Sequence, residues 1–293
     1  MIIKKYYKLV RVSHADSDFF RINNLSNEVG KFSLVKYSQH AGLPVPTLEY
    51  SLDGASWNSY DVQNTEEVDV LPGSAIYLRG TNNTKFAYSD GTFITAWYSV
   101  HFTKTYSVGG NIITLLDKTN YSTINTIDGN SGFGNFFKNE TNLTDASNLN
   151  FGSVTTLPDG DTLGGTYGSL YGMFWGCTNL VSVPDVTGIT SCGRTAMASM
   201  FYGCTSLEVG IDLSQLTSVR YWVASGMYTN CQKLKRAIAP NVQNLVNTAC
   251  LNNWLSGAGT QATGTKTVSV PTGATINTDS DSGIPTGWTR VDY

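Results

Sequence analysis

The sequence predicts a mainly β chain with short helices: an N-terminal β-sandwich-like domain, then a solenoid of short repeats, then a C-terminal cap. Three observations predict it. The phrase MFWGCTNL (173–180) returns as MFYGCTSL (200–207) and MYTNCQKL (227–234), each time after 27 residues. Charged residues make up only 14% of the 293, and Asn, Ser, Thr, Gly, Val and Tyr fill their place, the balance of a chain rich in strands and turns. Ahead of the repeats, short alternating runs are separated by turn signals.

Residues 1–106 read as the N-terminal β domain. YYKLVRV (6–12) and KFSLVKY (31–37) are strand-like. In LEYSLDGASWNSY (48–60), Asp53-Gly54 lies between two strand-like runs and supplies the positive φ of a tight hairpin. SAIYLRG (74–80) and TFITAWYSVHF (92–102) add two more strands. The last alternates, with Phe93, Thr95, Trp97, Ser99 and His101 on one face and Ile94, Ala96, Tyr98, Val100 and Phe102 on the other. Short strands at this spacing suggest a small sandwich.

Residues 107–262 read as the repeat region. Aligned on the phrase, one column holds Met173, Met200, Met227 and Trp254, and the next Phe174, Phe201, Tyr228 and Leu255. A turn column holds Gly176, Gly203, Asn230 and Gly257, and a small-residue column Cys177, Cys204, Cys231 and Ala258. Leu180, Leu207 and Leu234 complete the frame. FFKNETNL (136–143) fits it too, with Glu140 in the cysteine place and a ten-residue insertion assigned to PDGDTLGGTYGS (158–169). A unit this short cannot bury its own apolar face, so the physical reading is a stack in which like side chains form ladders. Each buried Phe or Leu then contributes roughly 1.5–3 kcal/mol. A short strand is expected after the leucine, as in LVSVPDV (180–186), and a short helix before the Phe, as in TAMASMF (195–201). The Gly/Asn column suits positive φ, and cysteine serves as a small hydrophobe. Residues 263–293 break the pattern, as the cap of an open stack does.

The net charge of −3 gives no support to a nucleic-acid partner. Residues 1–40 are locally basic, with Lys4, Lys5, Lys8, Arg11, Arg21, Lys31 and Lys36 against Asp16, Asp18 and Glu28. They form either a solvated strand face or a docking patch for an acidic partner. No run reaches transmembrane length, and lysines interrupt the start where a signal peptide is apolar. The expectation is synthesis and retention in the cytosol, or release by a route other than standard secretion. Five cysteines without a CxxC pair favour free thiols and no zinc. His14, Asp16 and Asp18 share one face if HADSD (14–18) is a strand, so they form a metal candidate beside the reading of a polar turn. NTDSDSG (277–283) resembles the start of a calcium loop, but Ser282 and Trp288 stand where an EF-hand needs Gly and Glu. No nucleophile elbow, P-loop, dinucleotide fingerprint or HExxH occurs, so no enzyme activity, cofactor or metal is expected.

Candidate binding residues come from the columns. Trp175 and Tyr202 sit beside the inward Phe and so face outward. With Tyr171, Tyr221 and Trp222 they make an aromatic strip suited to stacking on glycans, or else padding between coils or against a neighbouring subunit. Trp57 and Tyr60 are a weaker pair, with core packing as the alternative.

MFYGCTSL and its relatives resemble the BspA-like leucine-rich repeats. LEYSLDGASWNSYDV followed by SAIYLRG looks like the small β domain that precedes such repeats. GNIITLLDK (110–118) is similar to the family's lead-in, and NNWLSGAGTQATGTKTVSVP with GIPTGWTRV to its closing segment. The resemblance covers roughly residues 48–293. It implies a leucine-rich-repeat solenoid and a non-enzymatic role, in bacterial adhesins or in virion proteins of phages that infect gut bacteria. The expectation is a virion protein, in a head or tail fibre or as decoration. Its N-terminal domain would dock on other virion proteins, and its array would attach to a host or mucosal surface glycan or protein. A bacterial cell-surface adhesin is the alternative, and a polysaccharide-degrading enzyme a third reading. No membrane insertion is implied. A homo-oligomer stays open.

Overall fold

The structure is a computed structural model that describes residues 18–38, 40–90, 94–159, 167–246 and 249–293. It is mainly β. Among the described residues of the first 150, ten strands form: β1 (Phe20–Asn24), β2 (Gly30–Tyr37), β3 (Leu48–Ser51), β4 (Asn58–Tyr60), β5 (Val68–Val70), β6 (Ala75–Gly80), β7 (Ala87–Ser89), β8 (Ile94–Phe102), β9 (Tyr106–Asn111) and β10 (Leu143–Asn150). Seven more, of two to four residues each, follow among the described residues: β11 (Thr156–Leu157), β12 (Ser191–Cys192), β13 (Val209–Asp212), β14 (Ser218–Val219), β15 (Arg236–Ile238), β16 (Thr267–Val270) and β17 (Thr289–Asp292). The 6–12 strand and the metal candidates His14 and Asp16 fall outside the described residues.

Two sheets build the first part, one in the order β10-β9-β1-β6-β3-β4 and one in the order β5-β2-β8-β7. The expected 48–60 hairpin forms, with Leu48 opposite Tyr60 and Gly54 at φ 73°. The alternation of β8 decides its buried face: Ala96, Tyr98, Val100 and Phe102 are at most 1% exposed. Tyr60 links the sheets, since its ring lies 5.4 Å from Phe32 and its hydroxyl accepts from the Leu34 N–H at 2.8 Å. The expected boundary at 106 falls at the first residue of β9. That strand pairs antiparallel with β1 and parallel with β10, so the six-stranded sheet runs from the β domain into the first repeat.

Beyond β10 the ladders are parallel, β11-β12-β14 and β13-β15-β16-β17. Between them the chain does not form the helix expected at 195–201. It runs as tandem turns. Thr195, Met197, Ser199, Phe201 and Gly203 donate to the carbonyls of Tyr221, Val223, Ser225, Met227 and Thr229, one repeat on, at 2.8–3.2 Å. The amides between them, from Ala196 to Cys204, donate three residues back in their own coil at 3.0–3.3 Å. An α-helix would spend every amide on its own i−4 carbonyl and leave none for the neighbour. Each fourth residue takes positive φ instead: Thr195 (54°), Ser199 (53°) and Gly203 (73°). The left-handed region costs a non-glycine residue about 1–2 kcal/mol, and the bonds between coils offset it. The helices present among the described residues are two short 3-10 turns, Ile112–Leu115 and Tyr121–Thr123. The strand expected at 180–186 is also absent. There Ser182 makes only an isolated bridge to Asp145, and the repeat strands lie later in each coil.

The columns stack. Ring centroids of Phe137, Phe174, Phe201 and Tyr228 follow one another at 5.1, 5.4 and 5.8 Å, with planes within 10° of parallel. Trp254, from the methionine column, closes the series 6.1 Å from Tyr228 and donates Nε1–H to the Gly283 carbonyl. The turn column is left-handed throughout, at Asn139 (64°), Gly176 (76°), Gly203 (73°), Asn230 (61°) and Gly257 (67°). A Cβ added at Gly203 would meet nothing closer than 3.9 Å, so backbone conformation alone selects its residue. Gly203→Asn is expected to hold stability within about 0.5 kcal/mol, while Gly203→Val loses about 2 kcal/mol; urea denaturation of both variants checks this.

The cysteines are free and buried. The small-hydrophobe reading left out one interaction. Cys177, Cys204 and Cys231 donate S–H to the carbonyls of Phe137, Phe174 and Phe201, one coil back, at 3.0–3.1 Å. Burial raises all three thiol pKa values, that of Cys231 to about 12. At the head of the column stands Glu140, whose carboxylate accepts from the Phe102 N–H and the Tyr106 O–H and lies 3.1 Å from His101 Nδ1. Residues 263–293 break the sequence pattern but carry the ladder on, with β16 pairing with β15 and β17 with β16. No helix among the described residues is long and apolar enough to cross a membrane.

Candidate functional site

The tandem turns fix an outward column beside each inward ring. Lys138, Trp175 and Tyr202 occupy it in successive coils, each directly after Phe137, Phe174 and Phe201. All three are half-buried. Their backbones are held by the ladder, since the Asn139 N–H donates to the Trp175 carbonyl and the Gly176 N–H to the Tyr202 carbonyl. Trp175 and Tyr202 stack at 4.5 Å. Tyr171, four residues before Trp175, lies 6.4 Å from it and 4.0 Å from Tyr167. Burial pushes the Tyr171 hydroxyl up to about 12.

The strip does not stop at the repeats. The Lys138 ammonium sits 4.7 Å from the Trp175 ring centre and 5.2 Å from that of Trp97 on β8. Trp97 in turn stacks on Tyr37 of β2, with centroids 5.0 Å apart and planes 13° from parallel. Tyr37 is 45% exposed. A ribbon of rings around one cation therefore crosses from the β2–β8 sheet to the third coil. At its far end Asn230 Nδ2 reaches the Tyr202 hydroxyl at 3.5 Å. Burial holds the Lys138 ammonium below the ordinary lysine value. Within the ribbon the Trp97 Nε1 donor is buried and has no hydrogen-bond partner among the described residues.

The five candidate aromatics thus divide. Tyr171, Trp175 and Tyr202 come together. Tyr221 and Trp222 are exposed, and Trp222 carries the Arg194 guanidinium at 4.5 Å. Of the weaker pair, Tyr60 is a core link, 5% exposed. Trp57 packs 5.0 Å from Phe19 and under Arg79 at 3.8 Å, with Arg79 Nε bonded to Glu49 at 2.6 Å. Sequence reasoning passed over Lys138, although it stands in the same column as Trp175, and over Trp97 and Tyr37, whose place at the ribbon is set by sheet packing.

The 277–283 loop ties the closing segment to the last coil. The Asp281 carbonyl accepts from the Leu255 N–H, and Ser282 Oγ from the Asn253 N–H. Asp18 is taken up by the Tyr121 hydroxyl, which donates to Oδ2, and by the Asn111 N–H, which donates to its carbonyl. Among the described residues no group of three or more His, Cys, Asp or Glu is placed to hold a metal ion. Glu140 is the buried acid with a raised pKa, the effect of burial working against its hydrogen bonds. Its contacts join β8 and β9 to the first coil. Compared with family models, curated proteins and solved structures, the chain matches none.

Proposed function

We propose that the chain is a non-enzymatic surface-binding protein of the BspA-like leucine-rich-repeat type. In this reading residues 107–262 are a solenoid capped by 263–293, and residues 1–106 are a sandwich-like docking domain whose larger sheet runs on into the first repeat. The observation that carries the binding role is the aromatic ribbon. Rings held at fixed spacing on a hydrogen-bonded ladder form a pre-organised platform, which lowers the ordering cost of a weak, extended ligand such as a glycan.

The setting proposed is a phage virion, in a head or tail fibre or as a decoration protein. The N-terminal domain docks on the particle, and the array faces a host or mucosal surface. Five free, buried thiols suit a protein that folds in a reducing cytosol, where particles assemble. A bacterial cell-surface adhesin is the competing assignment. Immunogold electron microscopy on particles from a lysed culture separates the two. Label on the capsid or tail is the expected result, and label confined to cell envelopes overturns the virion assignment in favour of the adhesin.

A further inference from the structure

We propose that β17 pairs antiparallel with the β17 of a second copy, so that two chains form a two-fold symmetric dimer through this edge. The proposal stands apart from the surface-binding reading above. Its first support is an open backbone edge. β17 lies last in the order β13-β15-β16-β17, and Thr289–Asp292 are all exposed, whereas Val268 and Val270 of the adjoining β16 are 0% exposed. The Thr289 and Tyr293 N–H groups donate to the Lys266 and Val270 carbonyls at 2.8 and 2.9 Å, and the Tyr293 carbonyl accepts from the Thr272 N–H. Successive residues of a strand turn their backbone groups to opposite sides. The amides and carbonyls of Arg290 and Asp292 therefore point away from β16, with no further strand beside them among the described residues. Such edges invite a second chain, and proteins guard them with short strands or bulges. The other sheet edges among the described residues carry those guards. β4, β5 and β7 are three residues long, β11 and β14 are two, and the pairings of β10 and β13 are broken by register shifts. β17 keeps four residues in unbroken register with β16.

The second support is charge, and it names the occupant. Arg290 and Asp292 lie on one face of the strand, with Arg290 Nε bonded to Asp292 Oδ1 at 2.6 Å, so the edge has no net charge to repel a copy of itself. Read backwards, Arg-Val-Asp is complementary to itself. When Val291 stands opposite the Val291 of the second copy, each Arg290 faces an Asp292. The same register makes residues 290 and 292 the hydrogen-bonded pairs, which uses the outward amides and carbonyls of both chains. It also sets Val291, 43% exposed, against its counterpart at the closer, non-hydrogen-bonded spacing. A slip of one residue puts the outward backbone groups out of phase. A slip of two sets like charges opposite each other, which is destabilising. One register of one partner therefore satisfies both backbone and charge.

Sedimentation equilibrium of the full chain over a concentration series tests this. The wild type is expected to pass from monomer to dimer as concentration rises. Arg290→Asp and Asp292→Arg each set like charges opposite in the dimer, and each should weaken it about tenfold with circular dichroism unchanged. Mixed in equal amounts, the two variants bring opposite charges face to face at both positions, and affinity should return to within about threefold of wild type. The double variant Arg290→Asp/Asp292→Arg inverts the pattern but keeps it self-complementary, and should dimerise as the wild type does. A wild type that stays monomeric at every concentration overturns the proposal. A dimer that neither single variant weakens lies elsewhere on the molecule and overturns it too. So does a dimer that both variants weaken and mixing does not recover, because the antiparallel charge register is then not what holds it.

Discussion

Phe201→Ala is expected to lower the stability of the protein by roughly 3–5 kcal/mol, the range for truncating a fully buried aromatic ring. Phe201 is 0% exposed. Its ring lies between Phe174 at 5.4 Å and Tyr228 at 5.8 Å, nearly parallel to both. Truncation therefore opens a cavity shared by two inter-coil interfaces. Collapse to fill it is resisted, because the Phe201 N–H is bonded to Met227 in the next coil and its carbonyl accepts the Cys231 thiol. In a stacked array each unit is stabilised by its neighbours, so weakening one rung weakens both blocks it joins. Guanidinium denaturation reads the total, and a thiol reagent reads the locality. In the wild type Cys204 should stay unmodified until the protein unfolds. In Phe201→Ala it should react through local opening. A loss below about 1 kcal/mol would mean that the column is not a packed ladder, as would rapid labelling of native wild-type Cys204.

That ladder was legible in the sequence because stacking demands the same inward residue at every level, which writes a period into the chain. The path between rungs was not. In TAMASMF an α-helical period of 3.6 and a tandem-turn period of four place nearly the same residues inward over two turns. Ala196, Met197, Met200 and Phe201 are buried in the turn form and would share one face of a helix as well. A partial signal was the left-handed site every fourth residue, held by Gly, Asn or Ser at 135, 139, 172, 176, 199 and 203 but by Thr195, Trp222 and Ala249 in the same register. Only the column of Gly176, Gly203, Asn230 and Gly257 was read from sequence. The site divides in the same way. Trp175 and Tyr202 were visible because they share a column with each other. Lys138 shares it too, but it reads as an ordinary solvated lysine until Trp97 is known to lie on its other side. That neighbour comes from a strand about forty residues earlier, a tertiary contact that no local pattern announces.

Glu140 marks where the repeat pattern gives way to the β domain, and its removal should be the second large effect. In later coils its place is taken by a thiol that donates to the coil before it. Before the first coil there is no earlier turn, and the carboxylate accepts instead from Phe102 N–H and Tyr106 O–H, in a pocket that leaves Glu140 7% exposed. Glu140→Ala strands two buried donors, each worth about 1–3 kcal/mol when unsatisfied, for an expected loss of about 3 kcal/mol. Glu140→Gln keeps one acceptor oxygen and should lose about 1 kcal/mol at neutral pH. The pair also differs in pH dependence. Burial raises the Glu140 pKa in the folded protein above its unfolded value, with the bonds to His101, Phe102 and Tyr106 partly opposing it. Between the two values the folded state binds the proton that the unfolded state releases, so stability falls as pH rises through that window. The Glu140 contribution is thus fully present below the ordinary carboxylate pKa and lost as pH climbs through the raised one. Carboxylates whose pKa is lowered, such as Asp61 and Asp117, give the opposite slope, but they are common to both proteins and cancel in the difference. Denaturation of wild type and Glu140→Gln from acid to neutral pH should therefore show the wild-type advantage shrinking as pH rises. A difference that stays flat would mean that the carboxylate is not held in this buried junction, and that the first coil and the β domain are joined without it, by contacts such as the Phe20–Phe136 and Phe20–Phe137 ring pairs and the β9–β10 pairing.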